Sequence, residues 1–565
     1  MTRSSLAFLR PYLSHAIAPR YTPDAVRVYC AVQKRFTSQG VTKEHEGPVD
    51  VGKQKRLDQL RNLKPLGAFH PRLGSQIDVE PLSVQSFYSK HGHVEKTVPD
   101  LVSVLGRVRS IRVLSSKLMF VDIERAGHIL QVMVERKKLD MVFRQGGIKD
   151  FQAATRSGDW VSFTGHPSRS STGQVQLVAS QPPEIVAPCL HHLPGKVENP
   201  ELLARHPHIH QLTSKEPGEI LRLRATINDH IRKSLSNDGF LEVETPMFDF
   251  RAGGAIARPF QTVANELSNT PLRLRIAPEL NLKRLIVGGQ DRVFEIGRSF
   301  RNEGVDNTHN PEFSTCEFYE VGATLPQLVE RTEKLVRGLH DTIESLRSTQ
   351  FRSLKSPTDI DFSTPFKRLP FIPTIERECG RRLPNLSSET ATQDILTFFQ
   401  DLNIPVPTNP TLPRLLDVLA ETYIEPLCQN PTFITSHPEA LSPLSKSYPD
   451  PSSNDQLVAA RVELFINGRE YVNAYEEENS PFEQRRKFEQ QLALQPSSDV
   501  DLRDKEIDES YLEVLEWGMP PTGGWGCGLD RLVMLFSGKR RIADVLPFGT
   551  LRNVVSIAKN GAEKK

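Results

Sequence analysis

The segment DRVFEIGRSFRNEGVDNTHNPEFSTCEFYEVG, residues 291–322, constrains the fold more than any other. Two strand-like runs, 291–301 and 311–321, flank a polar loop, the pattern of an antiparallel hairpin with an extended tip. In the second run a period of two puts Phe313, Thr315, Glu317 and Tyr319 on one face. A merely buried face would be filled by Val, Ile and Leu, and a solvated one has no need of Phe and Tyr, so this mixture reads as a ligand-lining face. Arg301 stands where the first run meets the loop. Its guanidinium fork suits a phosphate or carboxylate, and Glu303 and His309 are placed to hold an amino group or further phosphates. Exposed ion pairs worth under about 1 kcal/mol are the plainer account of the same loop.

Two later segments carry comparable density. RVELFINGREYVNAYEEEN, residues 461–479, sets Asn467-Gly468 between two strand-like runs, the strongest short hairpin signal. A two-residue turn pairs Ile466 with Arg469, Phe465 with Glu470 and Glu463 with Val472. Glu463 and Glu470 then share a face, diagonal to one another, as a carboxylate pair for Mg²⁺ or as two surface acids; both readings stand at this point. Strict alternation sends Asn473, Tyr475 and Glu477 to the opposite face, so if all five serve one site the strand needs a bulge or strong twist near Val472. GMPPTGGWGCGLDRLVMLFSG, residues 518–538, begins as a glycine-rich loop or strand and becomes a helix whose buried stripe is Leu529, Leu532, Val533 and Phe536. Arg531 falls off that stripe near the helix start, where backbone N–H groups already favour anions, and suggests a nucleotide phosphate. The stretch is neither a Gly-Lys-Ser/Thr phosphate loop nor a GxGxxG fingerprint, which removes the two usual nucleotide folds.

Around these segments the chain is organised simply. Residues 98–186 contain five short alternating runs with turns between them, fitting a small β-barrel of the OB type. Arg107, Arg109 and Arg112 precede Phe120 there, which fits single-stranded nucleic acid stacked on an aromatic, or equally a solvated basic edge over a core Phe. In residues 219–240 Ile220, Leu223, Ile227, Ile231 and Leu235 recur at helical spacing; Asn237-Asp238-Gly239 stops the helix and FLEVETPMF follows as a strand ended by Pro246. Residues from about 340 to 430 hold many prolines and read as an insertion, so the segments on either side of it must meet in space if they form one site. The expected fold is α+β, a barrel followed by an antiparallel sheet flanked by helices.

Composition narrows the setting. With 71 Lys+Arg against 69 Asp+Glu the balance by itself calls for no nucleic acid, and 565 residues suffice for two or more domains. Six cysteines without a CxxC pair argue against a disulfide scaffold or structural zinc, and no run reaches the roughly 18 apolar residues of a membrane span. The first 23 residues have no acid, and Arg3, Arg10 and Arg20 stand against Leu6, Phe8, Leu9 and Leu13 as on an amphipathic helix. Residues 1–38 are therefore expected to be a mitochondrial transit peptide, cleaved between Arg20 and Ser38, with 39–97 a partly helical linker.

The dense segments resemble a known family. FRNEGVDNTHNPEF is similar to motif 2 of the class II aminoacyl-tRNA synthetases, GLDRLVMLF to motif 3, and the helix and strand ending at Pro246 to motif 1, which forms much of that family's dimer interface. GGAIARPF, LRIAPELNLKRLIVGG, PTFITSHPEALSPLSK and NGREYVNAYEEEN resemble the lysyl-tRNA synthetase family within it, over about residues 98–556. The resemblance implies an anticodon-binding barrel over 98–192, a catalytic domain over 205–556, a tail over 557–565 and a homodimer, while the N-terminal segment sets the expected location in the mitochondrial matrix. It implies ATP and lysine as substrates, tRNA(Lys) as acceptor and Mg²⁺ as cofactor. Arg301 and Arg531 would be the catalytic residues. Arg301 would grip the lysine carboxylate and the α-phosphate; Asn302, Glu303, His309 and Asn310 would contact ATP, with Phe313 stacked on adenine. Glu470, Tyr471, Gly528, Leu529 and Asp530 would complete the nucleotide site, with Arg531 on adenine's other side and on the γ-phosphate. Glu463 and Glu470 would carry Mg²⁺. Gly254 and Glu279 would receive the lysine α-ammonium, Asn473 its carboxylate, and Glu317, Tyr319, Tyr475 and Glu477 its side chain and ε-ammonium. Arg112, Phe120 and Gln131 would meet anticodon bases. Ala543, Trp525 and Gln174 depart from the family pattern, none at a position assigned to ATP or lysine. An aspartyl- or asparaginyl-type enzyme and a non-catalytic RNA-binding relative are the alternatives.

Overall fold

A computed structural model describes residues 51–72, 80–115, 117–135, 139, 147–194, 199, 206–250, 257–267, 270–362, 365–493 and 507–551. The expected transit peptide, the 557–565 tail and Gly254 lie outside the described residues. The chain divides into two compact units at Leu193/Pro194.

In the first unit, β1 (Val102–Ser115), β2 (Leu118–Arg125), β3 (His128–Glu135), β4 (Trp160–Arg169) and β5 (Val175–Ala179) run in the order β1-β2-β3-β5-β4, and β4 pairs back onto β1 to close a barrel. Among these five strands only β3 and β5 pair in parallel. The period of two is visible in burial: Met119, Val121 and Ile123 of β2 and Leu130, Val132 and Val134 of β3 are all 3% exposed or less. The residues expected to be a linker hold α1 (Val51–Leu63) and α2 (Val84–His91), and Leu60, Phe69, Val84 and Phe87 share the barrel's core. Alternation and helical stripes gave no sign of this because α1 docks by charge: Arg56, 1% exposed, grips both oxygens of buried Asp159 at 2.8 and 2.7 Å.

The second unit is built on one sheet. In chain order its main elements are α3 (Glu216–Asn237), β6 (Leu241–Glu242), the three strands β7 (Phe248–Asp249), β8 (Gln261–Val263) and β9 (Pro271–Leu274) of a small separate sheet, α4 (Glu279–Val287), β10 (Arg292–Phe300), β11 (Glu312–Val321), α5 (Leu325–Gln350), β12 (Lys367–Pro370), α6 (Phe371–Cys379), α7 (Ala391–Asp401), α8 (Leu412–Tyr423), β13 (Thr432–Thr435), β14 (Arg461–Ile466), β15 (Arg469–Glu476), α9 (Glu509–Glu516), β16 (Thr522–Gly528) and α10 (Leu529–Ser537). The main sheet has eight strands in the order β12-β13-β14-β15-β16-β11-β10-β6, antiparallel except at its two edges. The stripe Ile220, Leu223, Ile227, Ile231 and Leu235 of α3 is buried as its spacing requires, and α3, α5 and α10 cover one face of the sheet. FLEVETPMF contributes only β6 to the sheet, because at Thr245 the backbone N–H donates to the Glu295 carboxylate instead of to a neighbouring strand. The proline-rich insertion is not set apart: α6, α7 and α8 make their own core, while β12 and β13 extend the sheet's edge. The segments on either side of it meet, with β11 paired to β16 and β16 to β15.

Candidate active site

The open face of the sheet gathers the residues singled out above. Phe313, Thr315, Glu317 and Tyr319 share it, while Cys316 and Phe318 between them are buried under the helices. Opposite them β16 offers no side chains at all: Gly528 pairs with Thr315, Gly526 with Glu317 and Gly524 with Tyr319. On the far side of β16, Asn473 pairs with Gly526 and Tyr475 with Gly524. Of the three, Gly524 is required by space. A Cβ on Gly524 would collide with Glu477 Oε1 and the Tyr319 ring. Trp525 points the other way, stacked on Phe318 at 5.0 Å with its Nε1–H donated to Thr332, so this departure from the family pattern belongs to the core and not to the pocket.

The hairpin from β14 to β15 resolves the question its spacing raised. Asn467 and Gly468 take positive φ, 51° and 65°, as a tight hairpin turn requires. Ile466 pairs with Arg469 and Phe465 with Glu470, but Leu464 then pairs with Val472 and Glu463 with Asn473, not with Val472. Tyr471 is the extra residue of a bulge, one position before the point where a bulge was needed. Its effect is to bring Glu463, Glu470, Asn473 and Tyr475 onto one face.

At one end of that face is a buried cluster of carboxylates. Tyr319 donates to Glu317 Oε2 at 3.2 Å and Tyr475 to Glu279 Oε1 at 2.7 Å. Glu477 is fully buried and ion-paired through Oε2 with Lys283, while its Oε1 has no hydrogen-bond partner among the described residues. Burial, reinforced by the nearby charge of Glu279, pushes the Glu317 carboxyl up to about 8. Lys283, itself fully buried, donates to Glu279 at 2.6 Å. Burial alone would lower its pKa; Glu279 and Glu477 outweigh that and hold it well above the usual range. Sequence reasoning missed Lys283, although it stands four residues after Glu279 on α4, the spacing at which helical side chains meet.

At the other end lie the loop residues. Arg301 sits 5.2 Å over the Phe313 ring and donates to the Ile276 carbonyl at 3.5 Å. Its backbone N–H closes the loop on Pro311 O at 2.8 Å, and that of Asn302 reaches Arg258 O at 2.7 Å. Glu303 is exposed. Asn310 donates to Glu312 O and accepts from the Leu551 N–H, which ties down the loop's return. His309 binds Asp306 through Nδ1 at 2.9 Å and stands 3.2 Å from Arg531 through Nε2. Arg531 also donates to the carbonyl and carboxylate of Glu470, at 2.8 and 3.1 Å. A cavity of ≈ 290 Å³ opens here, lined by His309, Glu470, Tyr471 and Arg531 among others. Gly528 caps α10, Leu529 is buried beneath it, and Asp530 gives one oxygen to Arg224 and the other to the Ser314 N–H. Asp530 therefore braces the motif from below, with both oxygens already taken by protein donors.

Glu463 is held by Arg461 and, at 3.0 Å, by His437 Nε2. Burial would push its carboxyl up, but those two groups outweigh burial and hold it well below the usual range. Arg461 also fixes Asn473 through its Oδ1 at 2.9 Å. Neither Arg461 nor His437 was foreseen. Among the described residues no group of three His, Cys, Asp or Glu side chains is arranged to hold a metal. Two carboxylates on one face nevertheless fit Mg²⁺, which commonly takes one or two carboxylates and completes its shell with substrate phosphates and water.

In the barrel unit, Arg112 pairs with Phe120 across β1 and β2, and Gln131 lies opposite Asp122 on β3, so all three share the outward face. Arg112 is 59% exposed, 3.5 Å from Asp122.

Comparison with known proteins gives the family. The profile of the tRNA synthetases class II (D, K and N) matches residues 199–552. The mitochondrial lysine–tRNA ligase of Schizosaccharomyces pombe is 38% identical over 462 residues, covering 80% of this chain and 84% of its own length. Lysine–tRNA ligase cla4 of Cladosporium cladosporioides is 36% identical over 515 residues, covering 89% and 84%. A probable cytoplasmic lysine–tRNA ligase of Encephalitozoon cuniculi is 38% identical over 466 residues, covering 80% and 88%.

Proposed function

This chain belongs to the class II tRNA synthetases (D, K and N), and on that premise we propose that it activates lysine with ATP and transfers it to the 3′ end of tRNA(Lys). The observation that carries the specificity is the cluster of Glu279, Glu317 and Glu477 around a buried, bare Glu477 oxygen. An ammonium is costly to bury unless carboxylates meet it, and a pocket with unmatched carboxylates penalises every neutral side chain. Aspartate or asparagine would need the opposite charge or an amide-matching site.

In the reaction the lysine carboxylate attacks the α-phosphate of ATP in line, releasing pyrophosphate and forming lysyl-adenylate; a terminal tRNA hydroxyl then attacks the adenylate carbonyl. No protein nucleophile is needed, so the protein acts by positioning and by stabilising charge. Arg301 stands between the carboxylate-binding and phosphate-binding ends, with Phe313 as the adenine platform below it. Arg531 exchanges its contact with Glu470 for phosphate oxygens. Glu463 and Glu470 would hold Mg²⁺, which when bound neutralises phosphate charge. Glu279 with Gly254 would take the α-ammonium and Asn473 the carboxylate, while Glu317, Tyr319, Tyr475 and Glu477 would take the side chain. Asn302, Glu303, His309, Asn310 and Tyr471 line the nucleotide end, and Gly528 and Leu529 supply its backbone floor.

Arg112, Phe120 and Gln131 are the anticodon contacts in this reading. A homodimer is supported by uncovered apolar residues in and beside the small sheet, Phe248, Phe250 and Val263, which are 57%, 60% and 64% exposed. A mitochondrial matrix location rests on the acid-free, arginine-bearing N-terminus and on the S. pombe relative. Cytosolic fluorescence of a fusion to residues 1–38 would refute it.

The test is pyrophosphate exchange into ATP with a panel of amino acids. Exchange driven by lysine and lost in Arg301→Ala is expected. Exchange driven instead by aspartate or asparagine overturns the specificity, and exchange with no amino acid favours a non-catalytic relative.

A further inference from the structure

Lys283 is a charged group the mechanism above leaves without a task. It is fully buried on α4, and every element packed around it presents titratable groups. Glu279 stands on its own helix and Glu477 just beyond β15; β11 contributes Glu317 and Tyr319, β15 contributes Tyr475, and α9 contributes Tyr511. On β10, Glu295 is taken up by Arg275 at 2.6 Å. The Lys283 ammonium lies 5.9, 5.7 and 5.9 Å from the Tyr319, Tyr475 and Tyr511 ring centroids, an aromatic cage closed by two carboxylates.

We propose that Lys283 is a specificity-determining positioning residue: by binding one oxygen of Glu477 it turns that carboxylate so that its other oxygen stays bare over Gly524, as the acceptor for the terminal ammonium of the amino-acid substrate. This rests on the lysine-activating reading. Two observations independent of that reading point to a missing cation. Glu477 Oε1 is buried without a hydrogen-bond partner among the described residues, and it has room there only because Gly524 carries no side chain, a Cβ at that position falling on the oxygen. Charge counting gives the same answer. The pocket holds three carboxylates, two of them on the fixed Lys283 ammonium, and a bound lysine adds two more ammoniums, with its own carboxylate on Arg301. An amino acid with a neutral side chain brings one ammonium and leaves a buried carboxylate unmatched. Without Lys283 even lysine leaves one unmatched.

The consequence appears in the pH dependence of lysine binding. In the empty pocket burial pushes both Glu317 and Glu477 up, with Lys283 the main force opposing it at Glu477. Both must lose their protons to receive an ammonium, so lysine affinity rises with pH and levels off near the Glu317 value of about 8. Loss of Lys283 pushes Glu477 further up and moves that plateau to higher pH.

The experiment is Lys283→Met in the full chain, assayed by lysine-dependent pyrophosphate exchange from pH 6.5 to 9.5. Expected are a KM for lysine raised about 30-fold or more at pH 7, as removal of a buried charge partner produces, an ATP KM within about twofold, and a plateau displaced upward by about one pH unit or more. A lysine KM that is unchanged or lower, or raised equally at every pH, overturns the proposal; a lower one would make Lys283 a plug in the pocket. Should the single variant fail to fold, Lys283→Gln, polar but uncharged, takes its place, and the same displaced plateau is required of it. Wild-type exchange with another amino acid instead of lysine would refute the underlying reading, and is distinguishable because it needs no variant.

Discussion

Replacing Glu317 by Gln sets stability against selectivity in one side chain. Glu317 is half-buried on the site face, and its carboxyl is raised from 4.5 to about 8, by desolvation first and by the Glu279 charge second. A carboxyl with a raised folded-state pKa binds its proton more tightly when folded. Relative to a neutral isostere it costs nothing below the unfolded value, costs more with each pH unit above it, and reaches its full cost once pH passes the folded value. At pH 7 the chain is roughly 2.5 units above the unfolded value, and at about 1.36 kcal/mol per unit the cost is about 3 kcal/mol. Gln keeps the volume and an oxygen to accept from Tyr319, so Glu317→Gln is expected to stabilise the lysine-free protein by about 3 kcal/mol at pH 7 and by under about 1 kcal/mol at pH 5. Urea unfolding at the two pH values reads this difference. The same variant loses a carboxylate that meets the substrate ammonium, so KM for lysine in pyrophosphate exchange should rise about 100-fold while that for ATP stays put. A variant that is less stable than wild type at pH 7, or whose advantage does not shrink at pH 5, refutes the electrostatic account of the pocket. A stabilised variant with unchanged lysine KM refutes the assignment of Glu317 to the substrate.

The remaining expectations concern the pocket floor, the core beneath it and the barrel. Gly524→Ala should fold yet raise KM for lysine at least tenfold, because the added methyl meets Glu477 Oε1 and the Tyr319 ring; unaltered exchange kinetics would mean the pocket lies elsewhere. Trp525→Ala should cost about 3–5 kcal/mol in unfolding, as a large buried aromatic does, with KM for lysine unchanged in the folded fraction. Phe120→Ala should leave pyrophosphate exchange untouched and lower kcat/KM for tRNA charging about tenfold or more, the scale of one lost base stack.

What could be read from the sequence divides along a physical line. Patterns that repeat within one element survived contact with the structure, because burial acts residue by residue: the α3 stripe, the barrel strands, the β11 face of Phe313, Thr315, Glu317 and Tyr319. The hairpin after β14 was legible at its turn, where Asn467-Gly468 dictates the backbone, and illegible at Tyr471, since one bulged residue changes no composition and shifts every later partner by one. The need for a bulge was nevertheless forced by chemistry, because five site residues cannot share a face under strict alternation. The α1 helix and Lys283 escaped for a common reason. Each is placed by a buried ion pair, Arg56 with Asp159 and Lys283 with Glu279 and Glu477, and the partners stand up to 194 residues apart in a chain with abundant charges of both signs. Nothing in hydrophobic periodicity marks a charge that will be buried. What does mark it is an excess of partners: a pocket read as three carboxylates for a substrate with two ammoniums has one anion too many, and that surplus is itself a sequence-level sign that a third cation is built into the protein.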